Sequence, residues 1–310
     1  MATPDQLLVV IDPLARRTDG EAVRIAKDVL SAGAASTKVC LPEGPEEFAR
    51  ALSRRGSRRP VVVGDDRALL RTVALLHRQR ELTACALSLI PVGSALGLAR
   101  SLGVPTGAVA AARAALDGVE RRLDLLVDDS DGVVLGTLRI PVLPGAPPPE
   151  PEDPADAEAG TCAGTEADGG ASAGHHSWLR AWPQSLVRTL STRPSRPARA
   201  FRPPRPRIRV AAGGGAGPSR LRVEVDGVML VDLDQPVEGV SISPGTDGGA
   251  DVEVRPVSVG AEAAPLHAIG HRVTVSGADF RYRADSLVAG PVRTRTWTVR
   301  EGAWGLTLPG

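Results

Sequence analysis

The sequence predicts an α/β first half with a parallel sheet, followed by an antiparallel β-rich second half of sandwich type. Three observations carry this. Between residues 7 and 122, short β-branched runs alternate with apolar-periodic stretches, the pattern of a parallel sheet covered by helices. Beyond Arg122 the apolar period shortens to two and Gly and Asp mark frequent turns. Between the β segments, residues 141–218 break both patterns, so the domains are read as 1–122 and 123–310, with an insert at about 141–218.

The elements follow in order. Residues 7–11 (Leu-Leu-Val-Val-Ile) form a buried strand ended by Asp12-Pro13. Residues 20–32 place Ala22, Ile25, Ala26, Val29 and Leu30 on one helical face. Residues 37–41 are a second strand, and 45–52 a short helix with Phe48 and Leu52 inward. Residues 61–63 are the third strand, followed by a helix over 68–80. Residues 84–90 are the fourth, closed by Pro91-Val-Gly-Ser. Helices follow over 94–102 and 107–118. In the second half, strands are predicted at 123–127, 132–138, 221–228, 250–258, 272–276, 279–283, 293–299 and 303–308. Residues 144–174 are Pro, Ala, Gly, Glu and Asp with almost no large apolar side chain, too few to offset ordering entropy.

Composition excludes several classes. The 37 basic and 36 acidic residues nearly balance, so no overall field argues for nucleic acid. Lysine occurs only at Lys27 and Lys38, and the arginine excess follows the Ala, Gly and Pro richness of a GC-rich coding sequence. Cys40, Cys85 and Cys162 are odd in number and far apart, with neither a disulfide framework nor metal-ligand spacing. They suit a reducing cytoplasm. No signal-type h-region and no run near the ~20 apolar residues of a membrane span is present.

The most informative stretch is residues 59–71. A β-branched strand empties onto Gly64-Asp65-Asp66-Arg67, which opens a helix. Helix N-termini after parallel strands hold anions through free N–H groups and the dipole. Two carboxylates stand here where a phosphate cradle wants glycine, and an acidic helix cap accounts for them as well.

Together with Asp12-Pro13 and Pro91-Val-Gly-Ser-Ala-Leu-Gly-Leu-Ala-Arg-Ser-Leu-Gly-Val-Pro105, this stretch resembles the catalytic domain of the diacylglycerol kinase family, bacterial lipid kinases related in fold to NAD kinases. The family pattern is a strand ending in Asn-Pro, then Gly-Gly-Asp-Gly-Thr, then Pro-x-Gly-Thr-Gly-Asn-Asp-x-Ala-Arg-x-Leu-Gly-x-Pro. Order and spacing match over 7–126; Ala99-Arg-Ser-Leu-Gly-Val-Pro is near verbatim, and Arg122-Leu-Asp-Leu resembles the family's junction. Thr246-Asp-Gly-Gly-Ala-Asp-Val resembles a turn of the second domain. The resemblance implies ATP and Mg2+ as cofactors, with transfer of the γ-phosphate to a lipid hydroxyl. It implies cofactor contacts at Asp12, Gly64, Asp66, Arg67, Gly93 and Ser94, with all of these but Asp12 holding phosphate. No metal ligand is assigned.

The departures bear on chemistry. Asp65 and Arg67 replace family glycines and Ala68 the threonine; Ala95 and Leu96 replace Gly and Asn. A carboxylate about 4 Å from a phosphate costs roughly 1 to 4 kcal/mol. Arg67 offsets part of this, because guanidinium pairs with phosphate. Residues 280–290 contain no glutamate, so Asp285 is the one carboxylate near the family's general base. Two functions follow: an ATP-dependent lipid kinase, or a catalytically silent relative binding nucleotide, lipid or protein.

Three further features bear on function. His267 and His271 are four apart, but Gly270 lies between them and a strand follows, so two loop histidines are expected rather than a metal site. His175-His176 sits in the insert. Trp178, Leu179, Trp182, Leu186, Val187 and Leu190 recur at roughly helical spacing, ahead of an Arg/Pro run; nine arginines lie between Arg180 and Arg209. Residues 178–209 therefore suit a peripheral contact with a membrane surface or lipid substrate, although Pro183 interrupts the helix; a helix docked on the β domain is the other reading. A homodimer is left open.

Overall fold

The computed structural model describes residues 6–141, 218–245, 248–257 and 264–310. The insert's acidic stretch, His175-His176, Cys162 and the 178–209 segment lie outside the described residues, as does part of the Thr246 turn.

The first half is α/β. It runs β1 (Gln6–Ile11), α1 (Pro13–Thr18), α2 (Gly20–Gly33), β2 (Ser36–Cys40), α3 (Pro45–Ser53), β3 (Arg59–Gly64), α4 (Asp66–Arg78), β4 (Ala86–Pro91), α5 (Gly97–Ser101) and α6 (Ala108–Asp117). Strand β1 lies between β2 and β3, and β3 pairs with β4, each pair in the same direction. Alternate residues of the buried strands β1, β3 and β4 feed opposite faces, as a period of two requires. Leu7, Val9 and Ile11 pack with Leu30 of α2 and Ala111 and Ala115 of α6. Leu8 and Val10 pack on the other side with Phe48 and Leu52 of α3 and Leu69, Val73 and Leu76 of α4.

The second half is strand-rich: β5 (Val119–Asp128), β6 (Val133–Val134), β7 (Leu138–Ile140), β8 (Ser219–Val225), β9 (Val228–Val231), β10 (Pro236–Pro244), β11 (Ala250–Pro256), β12 (Leu266–Gly270), β13 (Arg272–Ala284) and β14 (Leu287–Leu308). Its core gathers Trp297, Tyr282, Phe280 and the inward residues of β8, β10 and β11. Tyr282 meets Trp297 edge-on, with centroids 5.3 Å apart.

The two halves share hydrogen-bonded strands, in the order β12-β11-β10-β7-β13-β14-β4-β3-β1-β2. The link is β14. Its Gly305 and Leu306 pair with Ala86 and Leu87 of β4 in the same direction, while Leu308 back to Trp297 pairs with β5 in the opposite one. Trp304, Leu306 and Leu308 consequently sit in the core of the first half.

Several elements differ from the sequence expectation. Residues 293–299 and 303–308 are one strand, whose register shifts between Arg300 and Trp304. Residues 272–276 and 279–283 likewise fuse into β13, with a shift between Ser276 and Phe280. A bulge carries a chain past residues that break alternation, and the sequence shows only the break. The run 132–138 instead divides into β6 and the start of β7 around Gly136. Neither β10 nor β12 was anticipated, and β12 carries His267, which is a strand residue rather than a loop one.

Candidate functional site

Three helix N-termini meet at the C-terminal edge of β1, β3 and β4, and each is closed by a carboxylate of the chain. Asp12 caps α1: it ends β1 in an extended conformation, accepts the Leu14 N–H at 2.8 Å, and has Pro13 behind it where a missing N–H costs nothing. Its second oxygen takes Nη1 of Arg71 at 2.9 Å. Arg71 in turn lies over the Phe48 ring, 5.6 Å from its centroid.

Asp65 caps α4. One oxygen accepts the N–H groups of Arg67 at 3.0 Å and Ala68 at 3.2 Å. Asp66 caps a different helix. Its Oδ2 accepts the Leu98 N–H at 2.8 Å and its Oδ1 that of Ala99 at 2.9 Å, closing α5, while its own N–H donates to the Ala95 carbonyl. Leu96, the residue flanking α5, has no side chain able to accept these bonds. The loops after β3 and β4 are thereby sewn together.

Electrostatics follow from burial. Asp12, Asp65 and Asp66 are all buried. Burial raises the Asp65 carboxyl above its ordinary range, and the Asp12 charge adds to this; the N–H groups of Ala68 and Arg67 and the Arg67 cation pull the other way.

The retained glycines are explained by the same packing. A Cβ on Gly64 would stand 2.6 Å from the Ala68 Cβ and 3.1 Å from that of Asp12. Gly93 has φ +139°, and a Cβ there would meet the Asp65 Cβ at 2.9 Å. Ser94 and Arg67 are exposed.

Asp285 lies apart, at the tip of the β13–β14 hairpin, with φ +52°. Its carboxylate accepts the N–H groups of Leu135 at 2.9 Å, Gly136 at 2.8 Å and Thr137 at 3.0 Å. Burial raises its pKa first; the three N–H donors oppose this, and the charge of Asp66 adds to it. A Cβ on Gly136 would touch both Asp285 and the Leu98 side chain, so the 135–137 turn brings the two halves' loops together.

The sequence pattern of the diacylglycerol kinase catalytic domain matches residues 6–127. The match covers less than half of the chain, and it supports a diacylglycerol kinase family assignment. A solved structure of a diacylglycerol kinase from Bacillus anthracis str. Sterne superposes with TM-score 0.63 at 11% identity, covering 99% of this chain and 98% of that one. Two others from that organism, provisionally assigned as diacylglycerol kinases, give 0.65 and 0.64 with the same identity and coverage. At that identity the likeness is one of fold. No curated protein matches the chain in sequence.

In the diacylglycerol kinase frame, Asp12, Gly64, Asp66 and Gly93 converge at one edge of the sheet, with Arg67 and Ser94 exposed on the same loops. Asp285 comes near through its charge on Asp66 rather than by a bond. Two contributors were not singled out from sequence. Arg71, one residue among many arginines, shows its partner only when α4 is laid beside β1. The N–H groups of 135–137 carry no side-chain signature at all. Among the described residues, no group of three or more His, Cys, Asp or Glu side chains is placed to hold a metal ion.

Proposed function

We propose that this chain is a diacylglycerol kinase-family protein that keeps the scaffold but does not transfer phosphate from ATP, and that it acts as a binding module. One observation carries the reading: the N–H groups of Arg67 and Ala68, where the family's glycine turn would cradle phosphate, are held by the Asp65 carboxylate. A phosphate on the same donors would lie within about 4 Å of that carboxylate, costing roughly 1 to 4 kcal/mol. Buried Asp66 adds to the repulsion, whereas the Asp12 charge is offset by Arg71. A micromolar nucleotide site rests on about 8 kcal/mol, so repulsion of this order removes a large part of the affinity.

The side chains present therefore do not fit ATP with Mg2+ at these loops. In this reading Gly64 and Gly93 serve packing, Asp66 serves as a cap, and Asp285 holds the 135–137 turn instead of acting as a base. Exposed Arg67 is the feature that favours the alternative, a retained kinase. The division at residue 122, with 123–310 as a second, sandwich-type domain, belongs to the same proposal.

Thermal melts with millimolar Mg-ATP, and radiolabelled ATP supplied with diacylglycerol vesicles, test it. No nucleotide-dependent shift and no labelled lipid are expected. Either signal from the wild-type chain overturns the reading.

The contact of residues 178–209 with an anionic membrane or lipid is a second proposal, resting on sequence alone. Liposome flotation of the full chain and of a chain lacking 178–209 checks it, and equal binding by both would end it.

A further inference from the structure

Arg139 and Arg283 stand directly opposite each other on the adjacent strands β7 and β13. Directly paired residues of antiparallel strands share one face, with Cβ atoms roughly 5 Å apart, and like charges in that arrangement repel. Alternation settles which face this is: Leu138, Ile140 and Tyr282 point into the core, so both arginines point away from it. Arg139 is exposed and Arg283 half-buried.

Nothing nearby relieves the pair. Among the described residues, neither guanidinium has a carboxylate within ion-pair distance, and the Nε of Arg283 is buried with no hydrogen-bond partner. Two acids that come close are already engaged, while exposed Glu238 borders the same side of Arg139 without an ion pair among the described residues. Glu253, whose charge Arg139 feels, is hydrogen-bonded to Arg255 at 2.6 Å. Asp285, two residues beyond Arg283, commits both oxygens to Leu135, Gly136 and Thr137. Ser286 Oγ, at the tip of the same hairpin, is also buried without a partner. A buried donor left unpaired is expensive, and two opposed cations compound the cost.

The same row continues along the sheet. Ser241 on β10 pairs in register with Arg139, and Glu253 on β11 pairs with Ser241. Arg139, Ser241 and Glu253 border an open groove of about 530 Å³. Arg139 thus borders a recess large enough for a small organic ligand, and Arg283 stands opposite it on the adjacent strand.

We propose that Arg139 and Arg283 form a binding site for the phosphate group of an organic phosphomonoester. A phosphomonoester carries about −1.5 to −2 charge at neutral pH and three acceptor oxygens, which matches two fixed cations with forked donors. A carboxylate would leave one positive charge uncompensated. The site uses β7 and β13 and no helix N-terminus, so it does not depend on whether the loops after β3 and β4 take nucleotide.

The test uses the full chain and two probes. Glycerol 3-phosphate, titrated against chloride at equal ionic strength, reads the soluble ester in thermal melts. Flotation with phosphatidylcholine vesicles, with and without phosphatidic acid, reads the same group on a lipid. The wild type is expected to respond to at least one probe, and the responding arm names the source. Arg139→Gln and Arg283→Gln should each weaken that response roughly ten- to hundredfold. In phosphate-free buffer, Arg139→Gln should melt no lower than the wild type, because the repulsion is gone. The proposal is overturned if neither probe exceeds its control, or if the Gln variants keep the full response. Should Arg283→Gln fail to fold, exposed Arg139→Gln decides alone.

Discussion

The Asp66 carboxylate takes the backbone N–H of Leu98 at 2.8 Å, although Asp66 begins α4 and Leu98 belongs to α5. A helix of five residues without a capping side chain of its own is closed from the neighbouring loop. The bond makes the loops after β3 and β4 one unit.

Asp66→Ala removes the acceptor of both Leu98 and Ala99, and the second of these bonds is buried. The expected loss is about 2 kcal/mol, in line with a lost cap plus a stranded N–H. Tm should fall by about 5 °C. Hydrogen exchange should localise the lost protection to residues 97–101. A variant as stable as the wild type, with α5 still protected, would mean the bond carries no weight.

Asp65→Asn keeps a good cap and removes the charge. Because burial raises the Asp65 pKa, the folded state holds a proton over a window in which the unfolded state has already lost it. That contribution is full below the ordinary value of about 4 and is lost as pH rises through the raised value. Urea titrations should therefore show the wild type losing stability relative to the variant between about pH 4 and neutrality. A difference that is flat with pH, or of opposite sign, would contradict the assigned cause.

Gly64→Ala forces a Cβ to 2.6 Å from the Ala68 Cβ. Destabilisation of about 1 to 3 kcal/mol is expected from overpacking. Adding Ala68→Gly should recover much of it, apart from about 1 kcal/mol of helix propensity. The double-mutant cycle measures the coupling directly. Additive effects would place the clash elsewhere.

Trp304→Ala empties a fully buried site between the first-half core and the β5–β14 pair. The indole N–H also donates to the Asp124 carbonyl at 3.3 Å. A loss of about 3 to 5 kcal/mol is expected. Because β14 pairs with β4 as well as β5 and β13, both halves should unfold in one transition. Circular dichroism followed against tryptophan fluorescence checks this, and separated transitions would refute it.

Much of the first half was legible because its signals are local. The helix expected over 45–52 is α3 (Pro45–Ser53), and that expected over 107–118 is α6 (Ala108–Asp117). Apolar residues at helical spacing reveal the buried face before any partner is known. Strand β12 was hidden for the opposite reason. Its Ile269 and His267 are exposed and its apolar alternation is weak, so register with β11 defines it more than its own residues do. In the candidate site, the motif spacing located Asp65 and Asp66, and a helix cap was one reading of the pair. That reading holds for Asp65 on α4; Asp66 caps a helix 32 residues further along the chain.

By itself the sequence determined the alternation of the first half, the kinship of residues 6–127, and the positions at which glycine and threonine give way to Asp65, Arg67 and Ala68. These depend on residue order, spacing and side-chain chemistry over short distances. Tertiary structure alone decided that β14 joins the two halves, that Arg71 neutralises Asp12, and that Arg139 faces Arg283. Each of these rests on a meeting between residues far apart in the chain. Register and approach distance, which no local pattern encodes, determine who meets whom.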